Sequence, residues 1–144
     1  MSTTIATMLS RALNGTLIND SDAAEIEEFT SDSIHFLQTH YCSSIQLEPC
    51  VYLSLCLLKM IKALLLDEAS TSVSIERLLR SFREHEFFTV ANSMIQCTRN
   101  LSNTMRVELL DNVTSILYHS CTLYRDMSTM LLHMNYGTTF WNTV

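Results

Sequence analysis

The 144-residue chain is acidic and poor in the residues that interrupt regular secondary structure. Its formal net charge is −6, and its nine Lys and Arg do not form the basic stripe that nucleic-acid binding normally requires. It holds only two Gly and one Pro, whereas sheets joined by tight turns need such residues at many corners. The composition therefore argues against a nucleic-acid-binding role and against most β architectures. It predicts one all-α domain covering residues 1–144.

The first two helices are predicted from apolar residues that recur every three or four positions. One runs from Thr3 to Leu13, and Gly15 ends it as a glycine just beyond a helix commonly does. The next runs from Ser21 to Tyr41, and either Ser21 or Asp22 can cap its first turn.

The third predicted helix begins at Glu48-Pro49, where proline suits the first helical turn. Its run Val51–Leu66 is apolar on nearly every side, which predicts a helix enclosed by the others. Lys59 and Lys62 interrupt the run, which is also short for a bilayer. A membrane span is therefore not expected.

The remaining helices follow a short polar loop. A fourth begins near Ser74 and reaches Cys97, charged at first and apolar from Phe87 onward. This change indicates either two helices or one helix that passes from the surface into the core. A fifth covers Asn103 to Tyr118 or beyond, and a sixth covers Tyr124 to Met134. Six or seven helices are thus expected to form a compact globular bundle around the enclosed third helix.

Candidate catalytic and metal-binding groups are few. His35 and His40 are five residues apart, a spacing that places them on different faces of a helix, so no zinc site with Cys42 is predicted. The five cysteines are an odd number without a C-x-x-C pair, which favours reduced thiols in an intracellular protein. We therefore predict no catalytic residue, no cofactor and no metal.

Three large aromatic residues close the sequence: Tyr136, Phe140 and Trp141. Two interpretations remain open for them. They form either a tail packed on the bundle or an exposed interface, such as a groove wall or an oligomer contact.

Two stretches resemble the Bcl-2 family of apoptosis regulators. Residues 78–97, LLRSFREHEFFTVANSMIQC, resemble the first homology segment. There a Leu-Phe-Arg stretch precedes Asn-Trp-Gly-Arg and an apolar helix that runs into Cys. Residues 135–141, NYGTTFW, resemble the second homology segment, in which Asn-Gly-Gly-Trp precedes an aromatic residue. The separation of the two stretches is close to that in the family. Compact members without a long regulatory loop or tail anchor are typical of viruses that block host apoptosis.

This resemblance implies a hydrophobic groove that sequesters the amphipathic helix of a pro-apoptotic Bcl-2 protein. The groove residues that it implies are Met60, Leu64, Ile75, Leu79, Phe87 and Phe88, with Arg83 and His85 at the rim. Phe87-Phe88 stand where the family has Gly-Arg, whose Arg pairs with an acid of the partner helix. Arg83 or Arg80 is then the candidate for that pairing. The resemblance also implies a location in the host cytoplasm, with partners bringing the chain to the mitochondrial surface.

Two other functions fit a helical bundle. One is a homodimeric adaptor or immune-antagonist module that acts through the C-terminal aromatic residues. The other is a secreted cytokine-like bundle, which four Asn-X-Ser/Thr sequons favour. The absence of a signal-peptide pattern in MSTTIATMLSRALNG and the odd number of cysteines argue against secretion.

Overall fold

The computed structural model describes residues 2–41, 48–97 and 101–123. Within these ranges the chain forms seven helices and no strand, which confirms the all-α class. The helices are α1 (Thr3–Leu13), α2 (Leu17–Asp20), α3 (Ala23–Tyr41), α4 (Glu48–Leu66), α5 (Ser72–Glu84), α6 (Phe87–Cys97) and α7 (Asn103–Leu123). The helix predicted from Tyr124 to Met134 and the aromatic residues Tyr136, Phe140 and Trp141 lie outside the described residues.

Polar side chains define where the first helices begin and end. The hydroxyl of Ser2 accepts a hydrogen bond from the Ile5 N–H at 3.1 Å, which caps α1. Gly15 follows the helix with φ +74°, the left-handed conformation expected of it. Before α3, the Asp22 carboxylate accepts from the Glu25 N–H at 2.8 Å, and the Glu25 carboxylate accepts from the Asp22 N–H at 3.2 Å. This reciprocal capping box makes Asp22 the cap of α3.

The hub of the fold is α3, which packs against α1, α4, α5 and α6 and most extensively against α5. The apolar side chains of its inner face belong to one continuous core, with Phe29, Ile34 and Leu37 fully buried. α4 instead pairs mainly with α7.

The expectation that Val51–Leu66 is enclosed on all sides is wrong. A stripe of α4 faces solvent at positions 52, 56, 59, 63 and 66, the spacing of one helical face. Tyr52 on this stripe is 56% exposed, whereas Leu57, Leu58 and Ile61 are fully buried. The apolar run overstated the burial of this face because Tyr, Cys and Ala count as apolar. Such residues are nevertheless common on protein surfaces.

The segment from about Ser74 to Cys97, predicted to form one helix or two, forms two. α5 begins at Ser72, two residues before the predicted start, because the Thr71 hydroxyl accepts from the Ser74 N–H at 3.1 Å. α5 ends at Glu84. Glu86, two residues later, has a φ of +52°, which a right-handed helix does not allow. No helix in the described part of the chain has the length and apolar character needed to cross a membrane.

Candidate functional site

Five of the six apolar residues predicted to line a groove, all except Ile75, belong to the buried core of the described bundle. Leu64 is 2% exposed, and Phe87 and Phe88 are fully buried. The ring of Phe87 stacks on that of Phe82 with centroids 4.4 Å apart. This buried contact joins α5 to α6 on the core side of the turn between them. Met60, 5% exposed, lies in the floor of another groove described below. Leu64, Phe87 and Phe88 therefore stabilise the fold, and the predicted residues do not form one shared binding surface.

Ile75 and Leu79 lie together in an open cleft, which we call the α5 cleft. It has a volume of about 280 Å³ and is lined by Ser72, Ile75, Glu76, Leu79 and Leu123. Leu79 is 4% exposed and forms its floor, whereas Leu123, at the end of α7, is 51% exposed at its edge. Because Ile75 and Leu79 are four residues apart, they stand one above the other on the same face of α5.

Both residues predicted for the rim are at the surface. Arg83 is exposed and follows Leu79 by four residues, so it continues the same face of α5 beyond the cleft. His85 is also exposed, and its backbone N–H donates to the carbonyl of Ser81 at 3.0 Å as the cap at the end of α5. The order along this face is therefore apolar, apolar and basic.

A charged cluster on α3 and α5, which we call the Glu27 clamp, holds α5 in place. The Glu27 carboxylate accepts from Nε of Arg77 at 2.7 Å and lies 3.1 Å from the guanidinium of Arg80. Next to it, the hydroxyl of Ser81 donates to the backbone carbonyl of Glu27 at 3.2 Å and lies 3.2 Å from the hydroxyl of Ser31.

The clamp lowers the pKa of Glu27. Burial alone raises the pKa of this carboxyl, but hydrogen bonding and attraction from Arg80 and then Arg77 outweigh that effect. The net lowering means that the ionised carboxylate stabilises the contact of α5 with α3.

A second open groove, which we call the α4 groove, lies between α4 and the bent pair α1–α2. It has a volume of about 380 Å³. Its lining residues are Leu9, Ala12, Leu13, Gly15, Leu17, Ile18, Cys56, Lys59, Met60 and Ala63. The resemblance implies a groove position for Met60, but no sequence pattern indicates the α1–α2 wall, because the one-turn helix α2 is too short to show periodicity.

A third concavity is lined by both candidate histidines. His35 and His40 border a pocket of about 290 Å³ between the start of α1 and α3, although their spacing separates them by about 140° around the helix. The His40 ring packs on Phe36, with centroids 4.2 Å apart. Among the described residues, no group of three or more His, Cys, Asp or Glu side chains is arranged to hold a metal ion. Cys42 lies outside these residues.

Comparison of the chain with protein-family models, with curated proteins and with solved structures gives no match. The candidate site therefore depends on the geometry of the chain itself.

Proposed function

We propose that the chain is a Bcl-2-type inhibitor of host apoptosis that sequesters the amphipathic helix of a pro-apoptotic partner at the α5 cleft. The main support is the face of α5 on which Ile75, Leu79 and Arg83 follow one another at four-residue intervals. An amphipathic ligand helix presents apolar side chains at i, i+3 or i+4, and i+7, and it can place an acid beside them. Action in the host cytoplasm and at the mitochondrial surface belongs to the same proposal.

The size of the α5 cleft defines how such a helix would bind. A helix with its side chains is about 10 Å across, so a cleft of about 280 Å³ admits apolar side chains and not the helix body. α5 packs mainly on α3, and its contact with α7 is sparse. Binding would therefore widen the cleft by moving α5 and α7 apart while the Glu27 clamp keeps α5 on α3.

Calorimetric titration with a panel of pro-apoptotic helix peptides tests this proposal. We expect at least one peptide to bind at a one-to-one ratio with a negative heat-capacity change, which reports burial of apolar surface. A panel without any binding would eliminate the proposed function.

A matched pair of variants on α5 tests the location of the site. Ile75→Glu places a charge inside the cleft and should weaken the best peptide about ten-fold or more. Val73→Glu introduces the same charge on the same helix, at a side chain that is 59% exposed and does not line the cleft. We expect it to change the affinity less than about two-fold. Equal effects of the two variants would exclude the α5 cleft as the binding site.

A further inference from the structure

The α4 groove has the character of a small-molecule site, with apolar walls and few polar groups. α1 contributes Leu9, Ala12 and Leu13, and α2 contributes Leu17 and Ile18. The left-handed Gly15 bends the chain between these helices and so gives the wall its angle. The opposite wall is the part of α4 between Cys56 and Ala63, with the buried Met60 at the bottom.

Lys59 is the charged residue among the side chains that line this groove. Its ammonium group lies 3.9 Å from the Glu108 carboxylate of α7, and the two side chains are 53% and 48% exposed. A long ion pair between exposed groups contributes little and leaves the ammonium available to a second anion. Lys59 stands at the rim, beside the apolar floor, where the charged end of an amphiphile would emerge.

The dimensions of the groove match a single alkyl chain. From Cys56 to Ala63 the α4 wall extends about 10 Å at 1.5 Å per residue. The volume of about 380 Å³ falls within the range of roughly 300–1,000 Å³ that is usual for small-molecule sites. An alkyl chain of this length lies inside such a groove, whereas a helix about 10 Å across would rest on the rim and insert only side chains.

From the lining, the charge and the dimensions, we infer that the α4 groove binds a free medium-chain fatty acid. Its alkyl chain lies over Met60 and Leu17, and its carboxylate pairs with Lys59. The α4 groove and the α5 cleft share no lining residue. The fatty-acid site therefore does not depend on the proposed binding of a partner helix.

The test uses decanoate and decylammonium below their micelle concentrations and decanol below its solubility limit, with the full chain. Cys56 lines the groove, is exposed and is a free thiol, so its alkylation rate reports whether the groove is occupied. Cys50, on the same helix but outside the groove, is the internal reference. Alkylation at each site is followed by mass spectrometry, and affinities are measured by calorimetry.

We expect decanoate to slow alkylation of Cys56 without slowing that of Cys50. It should bind about five-fold more tightly than decanol, the value expected for one exposed ion pair, and decylammonium should bind most weakly. Lys59→Gln should reduce the affinity for decanoate to that for decanol. Lys62→Gln, which removes a neighbouring charge outside the groove, should leave the preference unchanged.

Three results would overturn the inference. The first is equal affinity for decanoate and decanol, and the second is an unchanged preference in Lys59→Gln. The third is protection of Cys56 by helix peptides but not by decanoate, which would identify the groove as a protein-docking surface.

Discussion

Replacing Glu27 by Gln measures how strongly the Glu27 clamp holds α5 against α3. Gln preserves the size of the side chain but removes the charge that contacts Arg77 and Arg80. The side chain of Glu27 is 22% exposed and those of the two arginines are 35% and 45% exposed, so solvent screens both ion pairs. Each such pair contributes about 0.2–1 kcal/mol. We therefore expect the variant to lower the free energy of unfolding by about 1 kcal/mol at neutral pH.

The effect of Glu27→Gln should depend on pH in a defined direction. The pKa of Glu27 in the folded chain is lowered from 4.5 by the arginines, so the unfolded chain takes up a proton first as the pH falls. The contribution of this carboxylate is thus complete above pH 4.5 and is lost as the pH falls through the lower folded-state pKa. The difference in stability between the wild-type chain and the variant should shrink over that interval.

Urea denaturation followed by circular dichroism, at neutral pH and in steps down through the acid range, provides the assay. Glu28→Gln is the matched control, because Glu28 is the exposed neighbour on the same helix and should change stability by less than about 0.5 kcal/mol. Equal losses for Glu27→Gln and Glu28→Gln would refute the clamp. A difference in unfolding free energy between the wild-type chain and Glu27→Gln that stays constant as the pH falls would also refute it.

Three further substitutions test the fold by their effect on urea unfolding. Phe88→Ala should cost about 3–5 kcal/mol because Phe88 is fully buried, whereas Tyr118→Ala, at a side chain that is 66% exposed, should cost less than about 1 kcal/mol; similar losses would place Phe88 outside the core. Gly15→Ala should cost about 1 kcal/mol through its positive φ alone, since an added Cβ meets no atom within 4 Å; an unchanged stability would contradict that backbone conformation. Glu86→Gly should stabilise the chain by about 0.5–1 kcal/mol because Glu86 also has a positive φ; destabilisation would show that its side chain outweighs the strain.

Helix positions were predictable from sequence because local signals determine them. The predicted bounds of Thr3–Leu13 agree with α1, and the predicted starts at Glu48 and Asn103 agree with α4 and α7. Caps and apolar spacing act within a few residues, so a single sequence contains the information.

The burial of particular helices was harder to predict because it depends on how the helices pack. Apolar composition pointed to Val51–Leu66 as the enclosed helix, yet α3 contacts more neighbours despite its charged residues. Long side chains such as Glu27 and Arg77 satisfy one another across a helix interface, so their polarity does not keep a helix on the surface.

The candidate site was predictable only in part for the same reason. The spacing of Ile75, Leu79 and Arg83 along one helix was visible in the sequence. The contribution of Leu123 to the α5 cleft comes from a helix distant in sequence, and no local pattern indicates it. Likewise, the resemblance implies groove positions for Phe87 and Phe88. Apolar side chains suit both a core and a groove, and only packing distinguishes the two.

The central claim is that a partner helix binds at the α5 cleft. Mapping of backbone amide chemical shifts in the isotope-labelled chain, titrated with the best peptide of the calorimetric panel, tests this claim most directly. We predict that the largest shifts fall at residues 72–83 and near Leu123. Shifts concentrated at residues 9–18 and 56–63, in the α4 groove, would contradict it.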